Sequence, residues 1–335
     1  MHDRITLRYL ARPIFAEPGG GRIELGRILH WMDNTSYACA SGYCGDRAVT
    51  VSVGRTPIVG EVRPGDIIEV RAQLVGTGTS TIHLFVRVQA ADAETLSFRD
   101  VASSMYTFVA LNEAGRPTPV ERWTPATRAD EALAAGAGAW IASRSEFVDN
   151  PLRERGLTCA GTTPQLEFEF FAAPTDANWS GDVHGGVILR WHSEAADALA
   201  RNAFGGPVRC HSLDGMHFRR PVPTTDLVAV RARIIHSAGD RIRIATSMSS
   251  QHPRIRRPER TSHCFFEFGA RDTGRAAPRI ALRSDEDYDL SGMIDRILDL
   301  QRALPPLPGS GTASRLDRTS PPDSAHQPDH SPSVD

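Results

Sequence analysis

Two stretches of the chain carry apolar residues at helical spacing. In the first, Ile28, Leu29, Met32, Ser36 and Cys39 fall on one face. The second runs from about Gly186 to Ala203. Each is followed by four runs in which apolar and polar residues alternate. After the first helix they are Ala48–Val53, Ile67–Leu74, Ile82–Gln89 and Ala102–Leu111. After the second they are Arg209–Phe218, Leu227–Ile235, Arg241–Ser247 and Ser262–Phe268. Period-two alternation predicts strands with one covered face, and Pro64-Gly65-Asp66 marks a turn between two of them. One long helix followed by closely spaced strands cannot be a parallel βαβ sheet, because the connections are too short. The pattern predicts an α+β fold: each half is a curved antiparallel sheet wrapped around its own helix, and the two sheets pair edge to edge, hiding their open edges.

The halves are copies. An offset of 160 residues pairs Trp31 with Trp191, Gly26 with Gly186, Ile28 with Ile188 and Leu29 with Leu189. It goes on to pair Ala38, Ala40, Gly45, Ser52, Val62 and Asp66 with Ala198, Ala200, Gly205, Ser212, Val222 and Asp226, and Val70-Arg71-Ala72 with Val230-Arg231-Ala232. Chance gives about three identities over such a stretch, so the chain is read as a duplicated domain. The expected organisation is a first domain at 1–121, a linker at 122–156 with some helix, a second domain at 157–275 and a helical extension at 276–304. From Pro305 to the end the residues are mostly Pro, Ser, Asp and His, which predicts a disordered tail at 305–335.

Composition removes several classes. A formal net charge of −2 over 335 residues gives no nucleic-acid footprint and no membrane steering. No stretch approaches the roughly 20 apolar residues of a membrane span, and the first fifteen residues hold no apolar run of a secretory signal. Cys39, Cys44, Cys159, Cys210 and Cys264 are scattered without a C-x-x-C pair, which fits reduced thiols in the cytoplasm better than disulfides or zinc. Phosphate-loop, H-E-x-x-H and G-x-S-x-G motifs are absent. The acidic run Asp285–Asp289 resembles the start of a calcium loop, but Leu290 and Arg296 occupy its required glycine and glutamate positions. No metal is expected.

The opening of the second helix, Ala177-Asn178-Trp179-Ser180-Gly181-Asp182-Val183-His184-Gly185-Gly186, carries an A-N-x-x-G-x-x-x-G-G pattern. The first repeat carries Gly26-Arg27-Ile28-Leu29-His30-Trp31-Met32-Asp33-Asn34-Thr35, then Val49-Thr50-Val51-Ser52, Gly65-Asp66 and Phe108-Val109-Ala110. In this order and at this separation the motifs resemble the hotdog-fold acyl-CoA thioesterases, and more narrowly their double-hotdog members, which include cytosolic acetyl-CoA hydrolases. The resemblance covers roughly residues 5–120 and 160–270. It implies tandem hotdog domains, hydrolysis of acyl-CoA without a required cofactor, and a homo-oligomer, either a trimer of double hotdogs or a dimer.

Thioester hydrolysis needs a donor for the carbonyl oxygen, and backbone N–H groups at a helix N-terminus can supply one. The resemblance assigns this to Gly185-Gly186. It also makes Asp33 the attacking carboxylate, as general base or nucleophile; taken alone, Asp33 reads equally well as a helix aspartate. Asn178 would orient water or thioester, or else form a turn. His184 is a loop residue at the substrate's edge. Arg219 and Arg220 are candidates for CoA phosphate, and Thr79 and Ser80 either touch substrate or form a strand turn. Glu194 is expected on a solvated helix face, Glu24 has no chemical role, and the arginines at 254, 256, 257 and 260 sit in a solvated loop.

The repeats differ at these positions. Asn178 corresponds to Pro18, Gly185 to Leu25 and Asp33 to Ser193. Facing helices would therefore create one cleft with Asp33, Asn178 and the glycines, and a second, inert one.

Overall fold

The computed structural model describes residues 3–148, 156–178, 180–255, 257–271 and 275–306. Most of the tail expected to be disordered, residues 307–335, lies outside the described residues. Ten strands form one antiparallel sheet in the order β1-β3-β4-β5-β2-β7-β10-β9-β8-β6. The first half contributes β1 (Arg4–Leu10), β2 (Arg47–Pro57), β3 (Ile67–Thr77), β4 (Thr81–Ala91) and β5 (Phe98–Leu111). The second contributes β6 (Gln165–Phe171), β7 (Val208–Phe218), β8 (Leu227–Ala238), β9 (Arg241–Gln251) and β10 (Glu259–Ala270). Helix α1 (Leu25–Cys44) packs on the strands of its own half, and α3 (Gly185–Phe204) does the same in the second half. Each ends on a glycine in the left-handed region, Gly45 at φ 65° and Gly205 at φ 63°, where a Cβ would be strained.

The seam is β2 against β7. Ser52 pairs with His217 and Pro57 with Ser212. Since His217 and Ser212 lie 160 residues beyond Pro57 and Ser52, the register is that of a two-fold axis. The helices obey the same axis. A Cβ on Gly26 would meet Arg190 and Ser193 at 2.7 Å, and one on Gly186 would meet the His30 backbone at 3.0 Å. Glycine at both positions lets α1 and α3 cross closely.

The strands outrun their sequence-read bounds, and many are covered on both faces. Leu74, Leu84, Tyr106, Ile244 and Phe266 face the helices. Their neighbours Val75, Phe85 and Met105 pack under α2 (Arg128–Val148), while Ala245 and Phe265 pack under α4 (Asp285–Ala303). Successive strand residues point to opposite faces, so these strands are nearly continuous apolar runs. Both outer apolar strips are thus packed under the chain's own helices. The acidic run 285–289 opens α4: Asp287 accepts backbone N–H bonds from Thr162, Arg283 and Ser284 and forms a capping box with Ser284.

Candidate active site

The two-fold axis creates two clefts between α1 and α3, and they are chemically unlike. The first, of about 520 Å³, is lined by residues of both halves, among them Asp33, Tyr37 and Thr50 from the first and Asn178, His184, Gly185, Arg219 and Arg220 from the second. A volume of this size is ordinary for a small-molecule site.

Asp33 sits two turns into α1 and is 1 % exposed. Thr50 Oγ1 on β2 donates to its Oδ1 at 2.9 Å. His184 Nδ1 lies 3.1 Å from Oδ2. The buried carboxylate is therefore held by a hydroxyl from its own half and an imidazole from the other, which offsets the cost of burying it. Burial depresses the His184 imidazole, but the hydrogen bond and charge of Asp33 outweigh it and leave the group above its ordinary value. His30, packed 5.7 Å from the His184 ring, is pushed down to about 4 by burial and by the neighbouring imidazole.

The tip of α3 faces this carboxylate. His184 is its N-cap, with Nδ1 3.2 Å from the Gly186 N–H. Among the described residues the Gly185 N–H has no hydrogen-bond acceptor, and Gly185 lines the cleft, while Gly186 lies buried against His30. A Cβ on Gly185 would stand 3.0 Å from Asp33 Oδ2 and 3.3 Å from Thr50 Oγ1. Gly185→Ala is therefore expected to displace the carboxylate and lower kcat by about 10–100-fold, given what a misplacement of about 1 Å costs. Wild-type kcat in that variant would contradict the geometry.

Asn178 also lines the cleft, yet its Oδ1 is occupied: it accepts from Ser180 N at 2.8 Å, Ser180 Oγ at 2.7 Å and Asp182 N at 3.2 Å. It forms a turn, and only its amide hydrogens remain to act in the cleft. Arg219 and Arg220 stand at the rim, Arg220 paired with Glu259. Thr79 and Ser80 are not among the lining residues. They close the β3–β4 turn, where their carbonyls accept from Val120 and Ala110. Arg254, Arg257 and Arg260 are likewise absent from the cleft; Arg260 lies on strand β10, paired with Ser249, and not in the loop, and the residue at 256 lies outside the described residues.

Two partners of Asp33 were not legible beforehand. Thr50 lies in a strand run and in the motif Val49-Thr50-Val51-Ser52, neither of which marks a contact with Asp33, although its counterpart in the second repeat is Cys210, a difference of the same kind as Asp33 to Ser193. The contact with His184 joins residues 151 apart and leaves no local trace.

The second cleft, of about 330 Å³, contains Pro18, Leu25 and Ser193. Ser193 Oγ donates to the Arg190 carbonyl, and Leu25 fills the place of Gly185. Glu24 occupies the N-cap position of α1 but makes no side-chain cap bond. Glu194 lines this cleft and lies 3.7 Å from Arg190, so it is not simply a solvated face residue. Charged pairs join Glu17 to Arg201 and Arg271 across its mouth.

Among the described residues no cluster of three or more His, Cys, Asp or Glu is arranged to hold a metal, and no helix is long and apolar enough to cross a membrane.

A sequence profile described as thioesterase superfamily matches the chain twice, at residues 21–97 and 180–254. Acetyl-coenzyme A thioesterase of Rattus norvegicus is 24% identical over 227 residues, which are 63% of this chain and 41% of that protein. The chain thus spans about two fifths of that relative's length. Cytosolic acyl coenzyme A thioester hydrolase of the same organism is 28% identical over 110 residues, 32% of this chain and 29% of that protein. Among solved structures, an oleoyl thioesterase (putative) from Lactobacillus plantarum superposes with a TM-score of 0.55 at 11% identity, covering 82% of this chain and 97% of that one. That likeness is one of fold.

Proposed function

We propose, on the footing of the two stretches that match the thioesterase superfamily, that the first cleft hydrolyses acyl-CoA to free acid and CoA. The observation that carries this reading is the convergence, in one cleft, of a fixed carboxylate from one half and the amide-bearing helix tip of the other. The thioester oxygen sits at the start of α3 and receives the Gly185 N–H, with the helix dipole behind it. One such donor is worth roughly 10²–10³ in rate. The Asn178 amide orients the attacking water. Asp33 takes a proton from that water, the hydroxyl oxygen adds to the carbonyl carbon, and the C–S bond breaks. The proton then passes to the CoA sulfur, so that one water is consumed and one acid and one thiol appear. Arg219 and Arg220 lie where CoA phosphates would enter. The names of the relatives and five cysteines without disulfides support a reducing cytosolic setting, and the chemistry requires no cofactor.

Release of free thiol from a panel of acyl-CoAs tests the reading. Turnover is expected for some chain length, with KM raised by Arg219→Gln/Arg220→Gln. Binding of every acyl-CoA without release would make the protein a binding module and overturn the proposal.

A further inference from the structure

His184 Nδ1 has two claims on it. It lies 3.1 Å from Asp33 Oδ2 and 3.2 Å from the Gly186 nitrogen. A ring nitrogen carries either a lone pair or a hydrogen. With a lone pair it accepts the Gly186 N–H, but then it confronts a carboxylate oxygen that has no other hydrogen-bond partner and is buried. With a hydrogen it donates to Asp33, and the Gly186 N–H loses its acceptor. The two bonds exclude each other. The groups around the ring are His30 and Tyr37, at 5.7 and 6.0 Å between ring centroids, with Asp33 itself and Thr50 behind it. None of them supplies a competing charge at Nδ1.

We propose that His184 is a positioning residue whose tautomer is set by Asp33. This rests on the hydrolytic reading above. When Asp33 is ionised, the hydrogen sits on Nδ1 and donates to Oδ2. The Gly186 N–H, buried behind the tip, then loses its acceptor, and the ring is held against Asp33 beside the Gly185 N–H that meets the thioester oxygen. When Asp33 is neutral or absent, Nδ1 takes the Gly186 N–H back and caps the helix. The charge that makes Asp33 a base thus also fixes the imidazole beside the Gly185 donor, so base and oxyanion site are readied together. The corresponding position of the second cleft is Glu24, which makes no cap bond and cannot perform this exchange.

The test is two-bond 1H–15N correlation on the full chain labelled with 15N-histidine, with His184 assigned through His184→Gln. At alkaline pH the wild type is expected to show Nδ1 protonated and Nε2 bare. Asp33→Ala is expected to reverse this and to shift the Gly186 amide proton downfield as it gains its acceptor. In the release assay His184→Gln should lower kcat about 10-fold or more, as loss of a residue orienting a reacting group does, with KM nearly unchanged. The same tautomer in wild type and Asp33→Ala would overturn the proposal, whatever the assay shows. The tautomer is read without turnover, so an inactive wild type would refute the hydrolytic reading and leave this measurement to decide its own question.

Discussion

Asp33→Asn is expected to reduce thiol release about 10³-fold, within the range for loss of a general base, while leaving acyl-CoA binding intact. The substitution keeps the shape and the bond from Thr50 but removes the charge. The symmetry-related cleft offers no equivalent carboxylate. The symmetry-related position is Ser193, whose hydroxyl is tied to the Arg190 carbonyl, and the adjacent helix tip carries Leu25 where a carbonyl would have to approach. For the same reason Ser193→Asp alone should not restore turnover to Asp33→Asn. Release within about threefold of wild type in Asp33→Asn would remove Asp33 from the chemistry.

The second large effect concerns stability in acid. His192 is fully buried in the second half, its nitrogens 2.7 Å from Thr246 Oγ1 and 2.8 Å from Ser262 Oγ, and burial pulls its pKa down to about 3. The folded pKa is depressed, so the unfolded chain binds the proton first as pH falls. The stabilisation is therefore complete above pH 6.5 and is lost progressively as pH drops toward 3. The full loss is roughly 4–5 kcal/mol. The first half has Met32 at this position, equally buried, which makes His192→Met the natural comparison. At pH 7 the variant should be less stable by about 1–3 kcal/mol, because the Ser262 hydroxyl is orphaned. Near pH 5 the order should reverse. Denaturant unfolding from pH 7 to 4 reads the difference directly. His30 and His211, both pushed down to about 4, act in both proteins and cancel in that difference. Parallel pH dependence in the two would show that His192 is not the acid-sensitive group.

Much of this fold was legible because it is written twice. The shared offset located both helices and eight strands, and the alternation placed their inner faces. The two edge strands, β1 and β6, were missed. Each is seven residues long, and neither contains a fully buried residue, so hydrophobicity along them is weak even though Ile5, Leu7 and Tyr9 alternate. A surface-packed C-terminal helix was legible, but coverage by the linker helix was not, because Phe85 beside an inner apolar residue blurs the alternation that identified the strand.

At the site, the sequence revealed which positions the repeats no longer share, since the loss of Asn178, Gly185 and Asp33 from one copy or the other is a comparison within the chain. It did not reveal the hydrogen bonds. Thr50 reaches Asp33 across a sheet and His184 reaches it across the domain interface, and neither contact has a spacing that a periodicity can register. Thr79 and Ser80 show the opposite ambiguity, since hydroxyl-rich residues before a strand serve a turn as readily as a substrate, and in this structure they lie in the β3–β4 turn, outside the first cleft.

One chain is expected to hold a single working cleft assembled from both halves. Calorimetric titration with a non-hydrolysable acyl-CoA thioether tests it most directly, comparing wild type with Gly185→Leu, which gives the first cleft the residue found at the tip of the second. One equivalent bound per wild-type chain and none in Gly185→Leu is the expected result. Two equivalents in wild type, or one that survives Gly185→Leu, would contradict it.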